Sequence, residues 1–227
     1  MMNIDLSFYS WELVKSYVLS GFLFSIQLTI IATVGGIFFG TLLALMRLSG
    51  KSFLEIPASI YVNMMRSIPL VMVILWFFLL MPSILGRPIG AEASAIITFI
   101  AFESAFFCEI MRSGIQSIPR GQIYAGQAMG MTYSQNMRLV ILPQAFRKVL
   151  PPLLNDLVSL QKDSGLISVL GAIDAIRAAG IETAQSFNFT PYLVAGFFFV
   201  LLTIPLTRYT DWLAKRQDIA RQQQGEW

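Results

Sequence analysis

Histidine is absent from this 227-residue chain, which excludes imidazole-based metal sites, catalytic triads and proton relays. Cysteine occurs once, at Cys108, and a single thiol builds no internal disulfide framework. Charge is scarce too: 13% of residues are Asp, Glu, Lys or Arg, against about a quarter in soluble domains. With 56% hydrophobic residues and a mean hydropathy of +0.66, the chain cannot cover its surface with polar groups. Lipid is the solvent that this composition fits. No stretch reads as an independent soluble domain, so the expectation is an all-α membrane protein, a single transmembrane domain over residues 1–227.

A spanning helix needs about 20 apolar residues. One span is expected from Val18 to Met46, within a run free of charge. The next apolar run, from Ser67 to Pro82, becomes long enough when started at Pro57. A third runs from Ala93 to Met111 and a fifth from Pro191 to Leu213. The fourth, Leu139 to Leu160, carries Arg147, Lys148, Pro143, Pro151, Pro152 and Asp156. It is expected to be buried in the bundle, where neighbours satisfy what proline and charge disturb. The first span is expected to be no signal peptide: it is too long, and Asp5 and Glu12 precede it.

Lys and Arg orient the chain. With the N-terminus outside and the C-terminus cytoplasmic, only Lys15, Arg87, Lys162 and Arg177 of the 16 basic residues fall outside.

Some features carry less than they first promise. Gly50-Lys51-Ser52 ends like a phosphate-binding loop, but position 45 is Leu45 rather than glycine and a span precedes it. Gly36 and Gly40 are spaced for close helix packing, within the chain or against a second copy. Glu103 and Glu109 have no nucleophile beside them in the sequence to make an acid–base pair. Glu109 and Arg112, at i and i+3, read as a local ion pair.

Charges within spans usually face a cavity or partner. Glu103, about 15 Å into its span, is a candidate for a translocation path. Arg66, at a helix entrance before Pro69, is either a path residue or a snorkelling cation. Asn155 adjoins Asp156, and Asp163 with Ser164 closes the fourth span, where helix capping is an equal explanation. Any of these acidic or polar groups suits an ammonium group.

Between the third and fourth spans, residues 114–138 form a connector too long for a hairpin, GIQSIPRGQIYAGQAMGMTYSQNMR. Pro119 and Gly121 break the exit from the span. Ile123 to Met131 is expected to be a short helix with small residues at Ala125, Gly126, Ala128 and Gly130, which let a partner approach its backbone.

This stretch resembles the EAA loop of binding-protein-dependent ABC importer permeases: Glu-Ala-Ala, three residues, Gly, nine residues, Ile, any residue, Leu-Pro. Here it reads Tyr124-Ala125-Gly126, then Gly130, then Val140-Ile141-Leu142-Pro143. Tyr124 replaces the motif glutamate and Gly126 the second alanine. EIMRSGIQSIPRGQ, LPQAFRKVLPPLLN and QKDSGLISVLG are similar to the polar amino acid branch, and YVNMMRSIPLVMVILWFF to glutamate/aspartate permeases. The resemblance implies type I importer architecture in a bacterial inner membrane. It implies a coupling helix, including Met131, Leu142 and Pro143 at its margins, seated on a cytoplasmic ATP-binding subunit dimer. It implies further a second permease subunit (same chain or paralogue) and an extracytoplasmic binding protein for a polar, acidic amino acid. ATP and magnesium belong to that ATPase, so this chain is expected to bind no cofactor or nucleic acid and to catalyse nothing itself. A secondary transporter would need two half-repeats, a membrane enzyme a convergent reactive set; neither is visible. A structural subunit does not account for the connector's motif.

Overall fold

The computed structural model describes residues 19–171, 175–187 and 189–223; Asp5, Glu12 and Lys15 lie outside them. Every regular element among the described residues is helical. The first helix, α1 (Ser20–Leu48), is a long apolar rod. It lies against α4 (Ala91–Gln116) through a face of small residues. A Cβ on Gly36 would come 2.7 Å from the Phe107 ring, and one on Gly40 2.8 Å from Phe107 Cβ. The Gly36–Gly40 spacing therefore serves close packing inside the chain.

The span expected to run unbroken over 57–82 is two helices. They are α2 (Ser52–Ser67) and α3 (Leu70–Leu85), bent by 112°. Pro69 is the cause. Its ring disfavours the helical region for the residue before it, and Ile68 is extended at φ −104° and ψ 134°. Apolar residues cover two sides of α2: Ala58, Val62 and Met65 face the core, while Phe53, Ile56, Ile60 and Met64 are exposed.

The connector expected over 114–138 begins later, because α4 runs on to Gln116. Then come α5 (Arg120–Ala128), the single turn α6 (Tyr133–Asn136) and a π-helical turn (Met137–Ile141). That turn feeds directly into α7 (Leu142–Asp163), which stays helical through Pro151 and Pro152. A 3₁₀ turn (Ser164–Leu170) follows, then α8 (Ala175–Ser186) and α9 (Thr190–Gln223).

Ser20–Leu48, Ala91–Gln116 and Thr190–Arg216 are each long and apolar enough to cross a bilayer, and the bent α2–α3 pair counts as a fourth if taken as one span. The fourth span of the sequence reading, α7, is a full-length helix packed against α4 and α9 but falls outside that set. Its prolines and charges lower its hydropathy. Its buried face consists of Ala145, Val149, Leu153, Val158, Leu160 and Gln161.

Candidate functional site

Two regions draw together the residues that the sequence singles out. The first lies inside the helical bundle. Glu103 is about 18 Å along α4 and only 4% exposed. α4 meets α7 there, and the Glu103 carboxyl reaches that of Asp156, with Asp163 close enough to repel it. Oε2 of Glu103 and Oδ2 of Asp156 are both buried without a donor. Two carboxyls in such contact need a proton or a cation between them, and leaving their oxygens bare is costly. Asp156 and Asp163 are seven residues apart and share one face of α7, a spacing visible in the sequence. Asp163 also has Lys162 as its neighbour. Among the described residues no three acidic, Cys or His side chains are close enough to hold a metal ion. Gln161, also buried, accepts a hydrogen bond from Thr29 Oγ1 at 3.0 Å and fastens α1 beside the cluster.

Asn155 and Arg66 are not part of this cluster. Asn155 is exposed, on a different side of α7 from Asp156. Arg66 reaches the C-terminal half of α4, where its guanidinium is 3.4 Å from Glu109 and stands over the Phe106 ring at 5.7 Å. Glu109 pairs with Arg112 at 2.7 Å, as their spacing requires, and also with Arg47. Arg66 thus ties α2 to α4.

The second region is the connector between α4 and α7. Its short helix covers Arg120–Ala128 instead of 123–131. Pro119 stands at the N-cap, and Gly130 stops the helix at φ +75°, a conformation that glycine adopts freely. Gly130 N–H donates to the Gln127 carbonyl and Met131 N–H to that of Gly126, the double closure of a Schellman stop. Gly130 is thereby accounted for as a helix terminus, and a Cβ on it would meet nothing within 4 Å. Gly126 faces inward and is buried. Thr132 and Gln135 form a capping box that starts α6.

Beneath the loop, Ile118, Ile141 and Ala145 are buried, with Ile123 and Val140 against them. Three large side chains stand exposed among its polar residues: Tyr124 is 60%, Met129 80% and Tyr133 75% exposed. Of the motif residues, Ala125 is exposed, Ala128 and Met131 lie near the helix end, and Leu142 and Pro143 open α7, with Leu142 exposed.

A family model described as "Binding-protein-dependent transport system inner membrane component" matches residues 36–219. Over 208 residues the chain is 41% identical to the glutamate/aspartate import permease protein GltK of Escherichia coli O6:H1, covering 88% of this chain and 93% of that one. It is 33% identical over 216 residues to the probable glutamine ABC transporter permease protein GlnM of Bacillus subtilis, covering 95% and 98%. A crystal structure of an amino acid ABC transporter with histidines superimposes with a TM-score of 0.83 at 30% identity, covering 88% of this chain and 93% of that one. The inward-facing MetNI methionine ABC transporter shares the fold, with a TM-score of 0.73 at 23% identity over 92% of this chain and 99% of that one.

Proposed function

Because this chain belongs to the binding-protein-dependent transport system inner membrane components, as a multi-pass permease subunit of the bacterial amino acid ABC importers, we propose that it carries acidic amino acids into the cytoplasm by alternating access. The 41% identity to a glutamate/aspartate permease supports the acidic class. Relatives of this kind are permeases and not ATPases, so the energy comes from a cytoplasmic ATP-binding dimer that holds ATP and magnesium. A binding protein delivers the substrate from outside, and a second permease, a copy of this chain or a paralogue, completes the channel.

One observation carries the reading of the path: the convergence of Glu103, Asp156 and Asp163 around bare, buried carboxyl oxygens. A substrate's α-ammonium supplies the missing cation. That group is common to all amino acids, and carboxylates repel an acidic side chain. Selection for glutamate or aspartate therefore rests on the delivering protein, while the bundle recognises the amino acid backbone.

On the cytoplasmic side, Tyr124, Met129 and Tyr133 form the surface that seats on the ATPase. With Tyr124 in place of the motif glutamate, this contact is apolar and aromatic rather than ionic, and it is insensitive to salt.

Reconstituted vesicles test this. With the ATPase subunits, the binding protein and internal ATP, labelled glutamate or aspartate should accumulate, and omitting either partner should abolish uptake. Uptake of neutral or basic amino acids with equal efficiency would overturn the acidic assignment, and accumulation without ATP would overturn the energy source.

A further inference from the structure

Asn136 is the most enclosed polar side chain of the cytoplasmic connector, 3% exposed. Its Nδ2 donates to the Ile123 carbonyl at 2.8 Å, reaching back 13 residues into α5. Its Oδ1 is buried and has no donor. The amide lies against Gly126. A Cβ built on that glycine would come 2.6 Å from Nδ2 and closer still to Oδ1, which no ordinary packing tolerates. Gly126 stands where the motif has its second alanine. The glycine at 126 and the asparagine at 136 are two halves of one fit: only a residue without a side chain lets the amide reach the Ile123 carbonyl.

The position of Asn136 in the chain gives that fit a consequence. It ends α6, and the π-helical turn carries the chain into α7 without a break. π-turns within helices are uncommon and gather at functional positions. Two further contacts join α5 to the start of α7. Gln144 Nε2 donates to Gln122 Oε1 at 3.2 Å, and Ile123 packs with Ile141 and Ala145. At its far end α7 bears Asp156 and Asp163.

The geometry points to Asn136 as a positioning residue that, with Gly126, locks α5 to α7 so that both move as one rigid arm between the ATPase and the acidic cluster. This rests on the reading of α5 as the docking helix. Gly126 and Asn136 are buried while Tyr124, Met129 and Tyr133 are exposed, so the lock acts on transmission and leaves the docking contact in place.

A double-mutant cycle on the assembled complex in lipid tests the lock. Gly126→Ala, Asn136→Ala and the double variant are compared for ATPase association and for the ratio of hydrolysis with loaded binding protein to hydrolysis without it. Each single change should lower that ratio by about tenfold, the scale of a typical coupling energy, with the ATPase still bound. The double variant should fall no further than Asn136→Ala, because once the amide is gone the added methyl meets nothing. An unchanged ratio in Gly126→Ala, or losses that multiply in the double variant, would overturn the lock. Loss of ATPase from Asn136→Ala would overturn it as well, by making Asn136 a builder of the docking surface. The docking reading fails separately, if Met129→Asp retains the ATPase.

Discussion

Arg47 and Glu109, 62 residues apart, join α1 to α4 through a contact of 2.5 Å between Nη1 and Oε1. Arg47 also donates from Nε to Ser59 Oγ at 3.1 Å, which brings α2 into the same knot. Arg112 takes the other oxygen, and Arg66 stands at 3.4 Å. One carboxylate therefore serves three guanidinium groups. Glu109→Gln should cost about 1.5–3 kcal/mol, since it removes the charge that the guanidinium groups share. Arg66→Gln should cost about 0–1 kcal/mol, because that side chain is 42% exposed. Thermal unfolding of the purified protein in detergent measures both, and an equal effect would show that Glu109 is not the common partner.

The acidic cluster makes a prediction about transport. Glu103→Gln keeps the shape of the side chain and removes its charge. Uptake should fall by about tenfold or more, the effect of losing one charged contact to a bound ammonium, while the complex still assembles. Asp163→Asn should do the same to a lesser degree. Asn155→Ala, on an exposed face, should leave uptake unaltered. Initial uptake rates in vesicles, read beside size-exclusion profiles, decide it; normal kinetics in Glu103→Gln would return that residue to a structural role.

These contacts also show how far the sequence can be read. The Glu109–Arg112 pair follows from i, i+3 spacing, and the apolar runs locate α1, α4 and α9 because hydropathy is a local sum. Direction is not a local sum. The run over 57–82 is apolar on both sides of Pro69, and the 112° bend comes from one proline acting on the backbone of Ile68. The connector's helix is misplaced by three residues at each end of 123–131, because Pro119 begins a helix as readily as it breaks one. Arg66 finds Glu109, Glu103 finds Asp156 and Asn136 finds Ile123 across folds in the chain that no periodicity encodes. The motif spacing located the loop; the departure at Gly126 acquires its reason only once Asn136 is seen against it.

Gly130 separates two causes of damage. Its φ of +75° is strained for any side chain, so Gly130→Ala should destabilise the loop by about 1–2 kcal/mol despite the open space around it. Gly130→Arg carries the same backbone strain, and its side chain sets out from a Cβ with nothing within 4 Å. Whatever arginine costs beyond alanine is felt by a docked partner. We expect Gly130→Ala to keep the ATPase bound and Gly130→Arg to release it in detergent pull-downs. Equal retention by the two variants would place the ATPase contact away from the end of α5.

The orientation of the whole chain is the remaining prediction. Of the 16 Lys and Arg residues, all but Lys15, Arg87, Lys162 and Arg177 fall on one side of the bundle when the spans are threaded in order. Basic residues near span ends are retained on the cytoplasmic side, so residue 3 should face outward and residue 222 inward. The connector with Tyr124, Met129 and Tyr133 then lies inside, where an ATPase can reach it, and the opposite orientation would strand it. Single cysteines test this directly, with Asn3→Cys or Gln222→Cys introduced beside Cys108→Ser. Cys108 itself is fully buried, so its replacement removes a silent background rather than a competing signal. An impermeant thiol reagent applied to cells with a permeabilised outer layer should label Asn3→Cys at once and Gln222→Cys only after lysis. Labelling at 222 but not at 3 in intact cells would invert the topology. The docking surface would then face away from any cytoplasmic ATPase, and the proposed coupling through α5 would fall with it.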